Sequence, residues 1–142
     1  LLNLALRVTM QAGRGMKNAP RPSRETVSGK GGERFDHSYA NLCVLQFLAH
    51  EGCRAVLAEK GTYIFLLREG QTEPLLHLCG ATFSAFPFGC PDCTVSYEGM
   101  QYPLTRKPLR SDFPLGVSNR ILSDQAAVTV HQGEMLGIVY QP

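Results

Sequence analysis

The sequence lacks any apolar run approaching the roughly 18 residues that a helical membrane span needs, which argues against a membrane protein of that kind. Charge is scarce and balanced. Lys and Arg number 14 against 12 Asp and Glu, and the net charge of +2 is too small to argue for nucleic acid as a partner. Charged residues make up 18% and hydrophobic residues 44%, which excludes a disordered chain. No Gly-Lys-Ser/Thr closes a glycine loop, so a Walker-type phosphate loop is excluded. The five cysteines are odd in number, with no signal peptide before them, and this favours a reducing, cytoplasmic setting. Cys90-Pro-Asp-Cys93 has no second ligand pair, and His37, His50, His77 and His131 are scattered singly. A plain loop is therefore the default there, ahead of structural zinc.

What is present in 142 residues suffices for one ordinary domain or two very small ones. "LLNLALRVTM" opens the chain in a helical pattern, with no start methionine and no N-cap signal. The chain therefore reads as cut from something longer. "QAGRGMKNAPRPSRE" follows, rich in Gly, Pro and Arg, and reads as a mobile loop. "ETVS" reads as a short strand. From Asp36 to about His50 the period is helical, with Tyr39, Leu42, Cys43, Phe47 and Leu48 or Ala49 as an apolar stripe and Gly52 as the stop. Beyond Gly52 the pattern changes to short β-like runs divided by turn residues: "RAVLAE", "TYIFLLRE", "PLLHLC", "ATFSAF", "CTVSYEG", "AAVTVH" and "EMLGIVY". Lys60-Gly61 and Gln132-Gly133 read as hairpin turns. Val128 and Val130 alternate with Thr129 and His131, as one buried face requires. The fold class expected is α+β: the remnant of an α/β nucleotide-binding domain over 1–58, then an antiparallel β-sandwich over 59–142.

Three stretches carry candidate chemistry. In "GKGGERFDH" the glycines let backbone N–H groups approach an anion, and the helix behind them offers unpaired N–H groups. Arg34 can clamp a phosphate through its planar fork, Asp36 can hold a divalent cation, and His37 can donate to a phosphate oxygen. Asp36 as a simple N-cap and His37 as a surface residue remain open alternatives. Seven of the 14 basic residues (Arg7, Arg14, Lys17, Arg21, Arg24, Lys30 and Arg34) fall in this first part of the chain, with only Glu25 and Glu33 as acids among them. They form either an anion-binding face or a solvated basic loop. Downstream lie "YEGMQYPL" and "PLGVSNRI". A Ser-Asn turn pair bonding its own backbone, and Tyr102-Pro103-Leu104 packing at a strand edge, are the structural alternatives there.

Taken in order, a Gly-Gly loop ending in R-F-D-H, then G-M-Q-Y-P-L, then G-V-S-N, the sequence resembles thiamine pyrophosphokinase (thiamine diphosphokinase). The resemblance spans nearly the whole chain. It implies transfer of a pyrophosphoryl group from ATP to thiamine, giving thiamine diphosphate and AMP, with Mg²⁺ required. It also implies a homodimer with thiamine held between domains of opposite subunits. Carried over, Gly32, Arg34 and His37 belong to the nucleotide site, and Arg34 and Asp36 to catalysis, with Asp36 as metal ligand. Gly116, Ser118 and Asn119 belong to the thiamine pocket. Such chemistry is mostly positioning and charge neutralisation, so no covalent nucleophile is needed.

The sequence also departs from the family pattern. Glu33 stands where a second glycine precedes the arginine, the basic insert over 13–25 is longer than usual, and there is no Trp to stack on a thiamine ring. Family catalysis uses aspartate clusters, whereas Asp36, Asp92, Asp112 and Asp124 are the only aspartates here and lie far apart in sequence. Little or no kinase activity is therefore expected of this chain alone, and aggregation through an unpaired sheet edge is a hazard. A non-catalytic β-sandwich ligand-binding module is the rival class. A homologue that binds thiamine without chemistry is a third.

Overall fold

A computed structural model describes residues 5–9 and 34–142. The chain forms two compact units, Leu1–Lys60 and Gly61–Pro142.

In the first unit, strand β1 (Ala5–Thr9) pairs antiparallel with β2 (Arg54–Glu59), from Ala5↔Ala58 to Thr9↔Arg54. The opening segment is thus a strand and not the expected helix. Five residues are too few to separate the two periods, and β2 supplies the ladder that decides between them. Helix α1 (Phe35–His50) matches the predicted span and packs on β2. Its end is a Schellman motif. Gly52 takes φ +80°, its N–H donates to the Ala49 carbonyl at 3.0 Å, and the Cys53 N–H donates to the Leu48 carbonyl at 2.9 Å. Leu48 and Cys53, at the two positions whose apolar contact commonly accompanies this motif, are both buried. The expected stripe holds only in part, at Leu48 and half-buried Leu42. Leu45 and Leu48 are buried, while Tyr39, Cys43 and Phe47 face solvent. Apolar residues run around the whole of α1, so the period alone cannot choose the inner face. "ETVS", Gly32 and the basic insert lie outside the described residues.

The second unit is an antiparallel β-sandwich, as expected. One sheet runs β3 (Thr62–Leu67), β10 (Met135–Tyr140), β5 (Thr82–Pro87), β8 (Asn119–Arg120). The other runs β4 (Thr72–Leu76), β9 (Gln125–Gln132), β6 (Asp92–Glu98), β7 (Leu104–Arg110). Alternation on β9 puts Ala126, Val128 and Val130 into the core, where Phe65, Phe83, Val95, Tyr97, Met135 and Val139 meet them. Phe83 and Tyr97, one from each sheet, meet edge to face at 5.2 Å. The turn at Gly133 is present, with φ +79°, but it does not close a hairpin. β9 pairs with β4 and β6, and β10 with β3 and β5, so the chain crosses between sheets there. Strand β7 was not expected from its composition. "LTRKPLR" is an edge strand, and its Arg106, Lys107 and Pro108 guard the open ladder. No helix among the described residues is long and apolar enough to cross a membrane.

Candidate functional site

The candidate ligand corner is the turn that enters β8. Gly116 lies against β5, where its carbonyl accepts the Ala85 N–H at 2.9 Å. A Cβ at Gly116 would stand 2.4 Å from the Ala85 carbonyl oxygen, so only glycine fits this approach. Ser118 sits in the left-handed region at φ +59°, an uncommon place for a serine. Its N–H donates to the Oγ of buried Ser84 at 3.0 Å, which anchors the turn to β5. The Ser118 hydroxyl is exposed and makes no hydrogen bond among the described residues.

Asn119 behaves differently. It is 5% exposed. Its Oδ1 accepts the Tyr102 N–H at 3.0 Å and the Arg120 N–H at 2.9 Å, and its Nδ2 donates to the Tyr102 carbonyl at 2.8 Å. Its acceptor is committed to the main chain and one Nδ2 hydrogen remains, so Asn119 builds the corner more than it offers itself to a ligand. Leu104 packs against the core at the start of β7, whereas Tyr102 is 61% exposed. Phe113, Leu115 and Val117 are exposed in the segment leading to Ser118. Hydroxyl, amide hydrogen and apolar side chains along one turn suit a flat, partly polar ligand. Ser84 and the Tyr102 main chain are supports that sequence reasoning missed, since no spacing rule ties residues 84, 102 and 118.

The helix-start residues meet one another. Arg34 occupies the N-cap position without a side-chain cap bond, and Asp36 lies in the first turn, not at the cap. Arg34 Nη2 donates to Asp36 Oδ2 at 2.7 Å and Nε to Oδ1 at 3.2 Å, and the His37 N–H donates to Oδ1 at 2.9 Å. The Arg34 guanidinium first, and then the His37 N–H, hold the Asp36 carboxyl below its ordinary range. Both side chains are well exposed, so the pair contributes little to stability. Among the described residues no three His, Cys, Asp or Glu side chains converge on a metal position. Cys93 is buried, and burial, with Cys90 nearby, pushes its thiol up to about 12, against ready thiolate ligation. The Cys90 thiol donates to the Glu134 carbonyl at 3.4 Å.

A polar depression is lined by Arg68, Glu69, Gln71, Gly133 and Glu134. Met135 pairs with Pro87 at the end of β5, while Arg120 pairs with Thr82 at its start. The lining of this depression shares no residue with the Ser118 corner.

Residues 68–135, which hold both Ser118 and the depression, match the family model described as "Thiamin pyrophosphokinase, vitamin B1 binding domain". No curated protein matches the chain. Among solved structures, thiamine pyrophosphokinase from Bacillus subtilis superposes with a TM-score of 0.70 at 19% identity, over 79% of this chain and 53% of that one. Thiamin pyrophosphokinase from Candida albicans gives 0.68 at 15% identity, over 78% and 42%. The yeast thiamin pyrophosphokinase gives 0.60 at 18% identity, over 79% and 38%. Identities this low establish the shared fold, and the match spans about half or less of each of these relatives. Over residues 68–135, just under half its length, the chain is similar to the vitamin B1 binding domain of thiamin pyrophosphokinases.

Proposed function

We propose that this chain binds thiamine at the Ser118 corner and is the thiamine-binding part of a thiamine diphosphokinase. In the assembled enzyme, a homodimer, a pyrophosphoryl group passes from ATP to the thiamine hydroxyl, giving thiamine diphosphate and AMP. The observation that carries the reading is the Ser118 turn. It is a strained, exposed hydroxyl braced from below by Ser84 and Asn119, inside the segment that matches a vitamin B1 binding domain. Strain held by surrounding hydrogen bonds is characteristic of ligand sites. Tyr102, Phe113 and Val117 supply the apolar contact for the ligand rings in a chain without Trp.

The first unit is assigned to the nucleotide side, as the remnant of an α/β domain. Arg34 and His37 are assigned to phosphate oxygens there, and Gly32 is assigned with them by its place in the sequence motif alone. To meet them, Arg34 must release Asp36, which bidentate phosphate contacts can drive. The described residues do not by themselves fit a Mg²⁺ site. The start of α1 offers one carboxylate, Asp36, and it is already engaged by Arg34. Asp36 would hold the ion only together with the oxygens of bound ATP. The chain as given is accordingly assigned binding and not turnover, in a soluble, cytoplasmic setting.

Titration calorimetry of the full chain with thiamine tests the reading. Saturable binding near one thiamine per chain is expected. Absence of heat and of any thermal stabilisation at millimolar thiamine would remove it.

A further inference from the structure

One motif of the sequence has no part in the ligand corner: Cys90-Pro-Asp-Cys93, at the entry to β6. Both cysteines are free thiols, Cys90 half-buried and Cys93 buried. Three steps of extended chain would set their Cα atoms roughly 10 Å apart, too far for a disulfide. The chain is not extended there. Gly89 takes φ +73°, and the backbone bends over residues 89–91 before β6 begins. The two cysteines then address neighbouring residues of one turn. The Cys90 thiol donates to the Glu134 carbonyl at 3.4 Å, and a Cβ on Gly133 would stand 3.1 Å from the Cys93 Cβ. Burial first, and then the nearby Cys90, raise the Cys93 thiol, so each sulfur lies within the other's field.

We propose that Cys90 and Cys93 form a reversible dithiol–disulfide site, with Cys90 as the attacking thiol and Cys93 as the resolving one. Its oxidant is a small disulfide of the glutathione class. Half-buried Cys90 is open to such a molecule and buried Cys93 is screened from it, so the order of attack follows from exposure. The Cys90 sulfur attacks one sulfur of oxidised glutathione, a mixed disulfide forms, and one reduced glutathione leaves. The Cys93 sulfur then attacks the Cys90 sulfur and expels the second. Both thiol hydrogens end on the two glutathiones, and two electrons pass from the protein to the glutathione disulfide.

Closure disturbs little else. Cys90 must leave the Glu134 carbonyl, which keeps the Phe88 N–H at 3.1 Å. Burial holds the Cys93 thiol up at about 12, so little thiolate is present near neutral pH and the second attack is the slow step. Proximity within one bend offsets that deficit, because the step is intramolecular. A reducing setting keeps the pair open, and a shift toward oxidation closes it. The site does not use the Ser118 corner, and it stands whether or not thiamine binds there.

The test equilibrates the full chain with mixtures of reduced and oxidised glutathione, quenches with acid, caps free thiols and maps disulfides by mass spectrometry. An intrachain Cys90–Cys93 bond is expected, opened again by dithiothreitol. Replacing the exposed thiols, by Cys43→Ser with Cys79→Ser, should leave that bond in place. Cys93→Ala should stop at a glutathione adduct on Cys90, and Cys90→Ala should leave Cys93 unmodified. The parent is also measured in urea, where sequence separation alone brings the two thiols together. The folded chain should favour closure at least about tenfold over the unfolded one. A Cys90 adduct that persists in the parent without closing would overturn the proposal. So would an unreactive Cys90, or closure no more favourable in the folded chain than in urea, a comparison that needs no variant to fold.

Discussion

The side-chain amide of Asn119 is hydrogen-bonded to both main-chain polar groups of Tyr102, donating to its carbonyl at 2.8 Å and accepting its N–H at 3.0 Å. This bridge copies one rung of a β-ladder where β8 has only two residues to pair. It fixes the chain entering β8 from both sides, because the same Oδ1 also accepts the Arg120 N–H.

Asn119→Asp tests that bridge. The variant keeps an acceptor toward Tyr102 N–H but turns a second oxygen toward the Tyr102 carbonyl. Loss of one buried bond plus acceptor repulsion should cost about 2–3 kcal/mol at pH 7. The carboxyl would have its folded pKa raised, since only the protonated form can donate to the carbonyl. The deficit should therefore shrink as pH falls through that raised value. Urea melts at pH 7 and pH 5 check this. A pH-independent deficit would show that Nδ2 does not matter.

Tyr97 makes the opposite case. Its ring fills the core against Phe83, but its hydroxyl is buried with no hydrogen-bond partner among the described residues, and burial pushes its ionisation up. An orphaned buried hydroxyl carries a desolvation cost with nothing to offset it. Tyr97→Phe should be neutral or stabilising by about 1 kcal/mol. A loss of more than about 1 kcal/mol in thermal or urea unfolding would mean that the hydroxyl has a partner, such as a bound water.

The local parts of this fold were legible in the sequence, and the non-local parts were not. The span of α1 and its stop at Gly52 follow from the helical period and one left-handed residue. The alternation of Val128 and Val130 with Thr129 and His131 set the inner face of β9. By contrast, β1 depends on a partner some fifty residues away, and nothing in "LALRV" announces it. A hairpin and a crossing between sheets use the same Gln-Gly turn, so Gly133 could not separate them. β7 was hidden because edge protection fills it with the charged and proline residues that ordinarily argue against a strand. Ser118 and Asn119 stood out by type. Their unequal roles, one exposed and one spent on Tyr102, appear only once β5 and β8 are paired.

The Arg34–Asp36 pair sets a titration. Its guanidinium holds the Asp36 carboxyl below the ordinary range, so whatever stability the pair gives is present above the unfolded value and lost as pH falls through the folded one. That window lies below about pH 4. Arg34→Gln should move the Asp36 carboxyl back up toward the ordinary range, and carbon-detected NMR titration of the side-chain carboxyls reads it. If the Asp36 midpoint is unchanged, the pair does not form in solution, and Arg34 is already free to meet phosphate.

Ser118→Gly separates folding from recognition. At φ +59° a serine is held where glycine is at ease, a difference of roughly 1 kcal/mol. The Ser118 N–H to Ser84 bond is main chain on the donor side and survives the change. The variant should melt at the parent's temperature or a few degrees higher. If the hydroxyl contacts thiamine, affinity should fall about five- to tenfold, the worth of one neutral hydrogen bond. Ser118→Ala loses the same hydroxyl while keeping the strained backbone, so it should match the affinity loss without any gain in melting temperature. Calorimetry and thermal melts on both variants read the two effects apart. Parental affinity in a well-folded glycine variant would leave the Ser118 hydroxyl without a ligand and shift the recognition to the apolar side chains beside it.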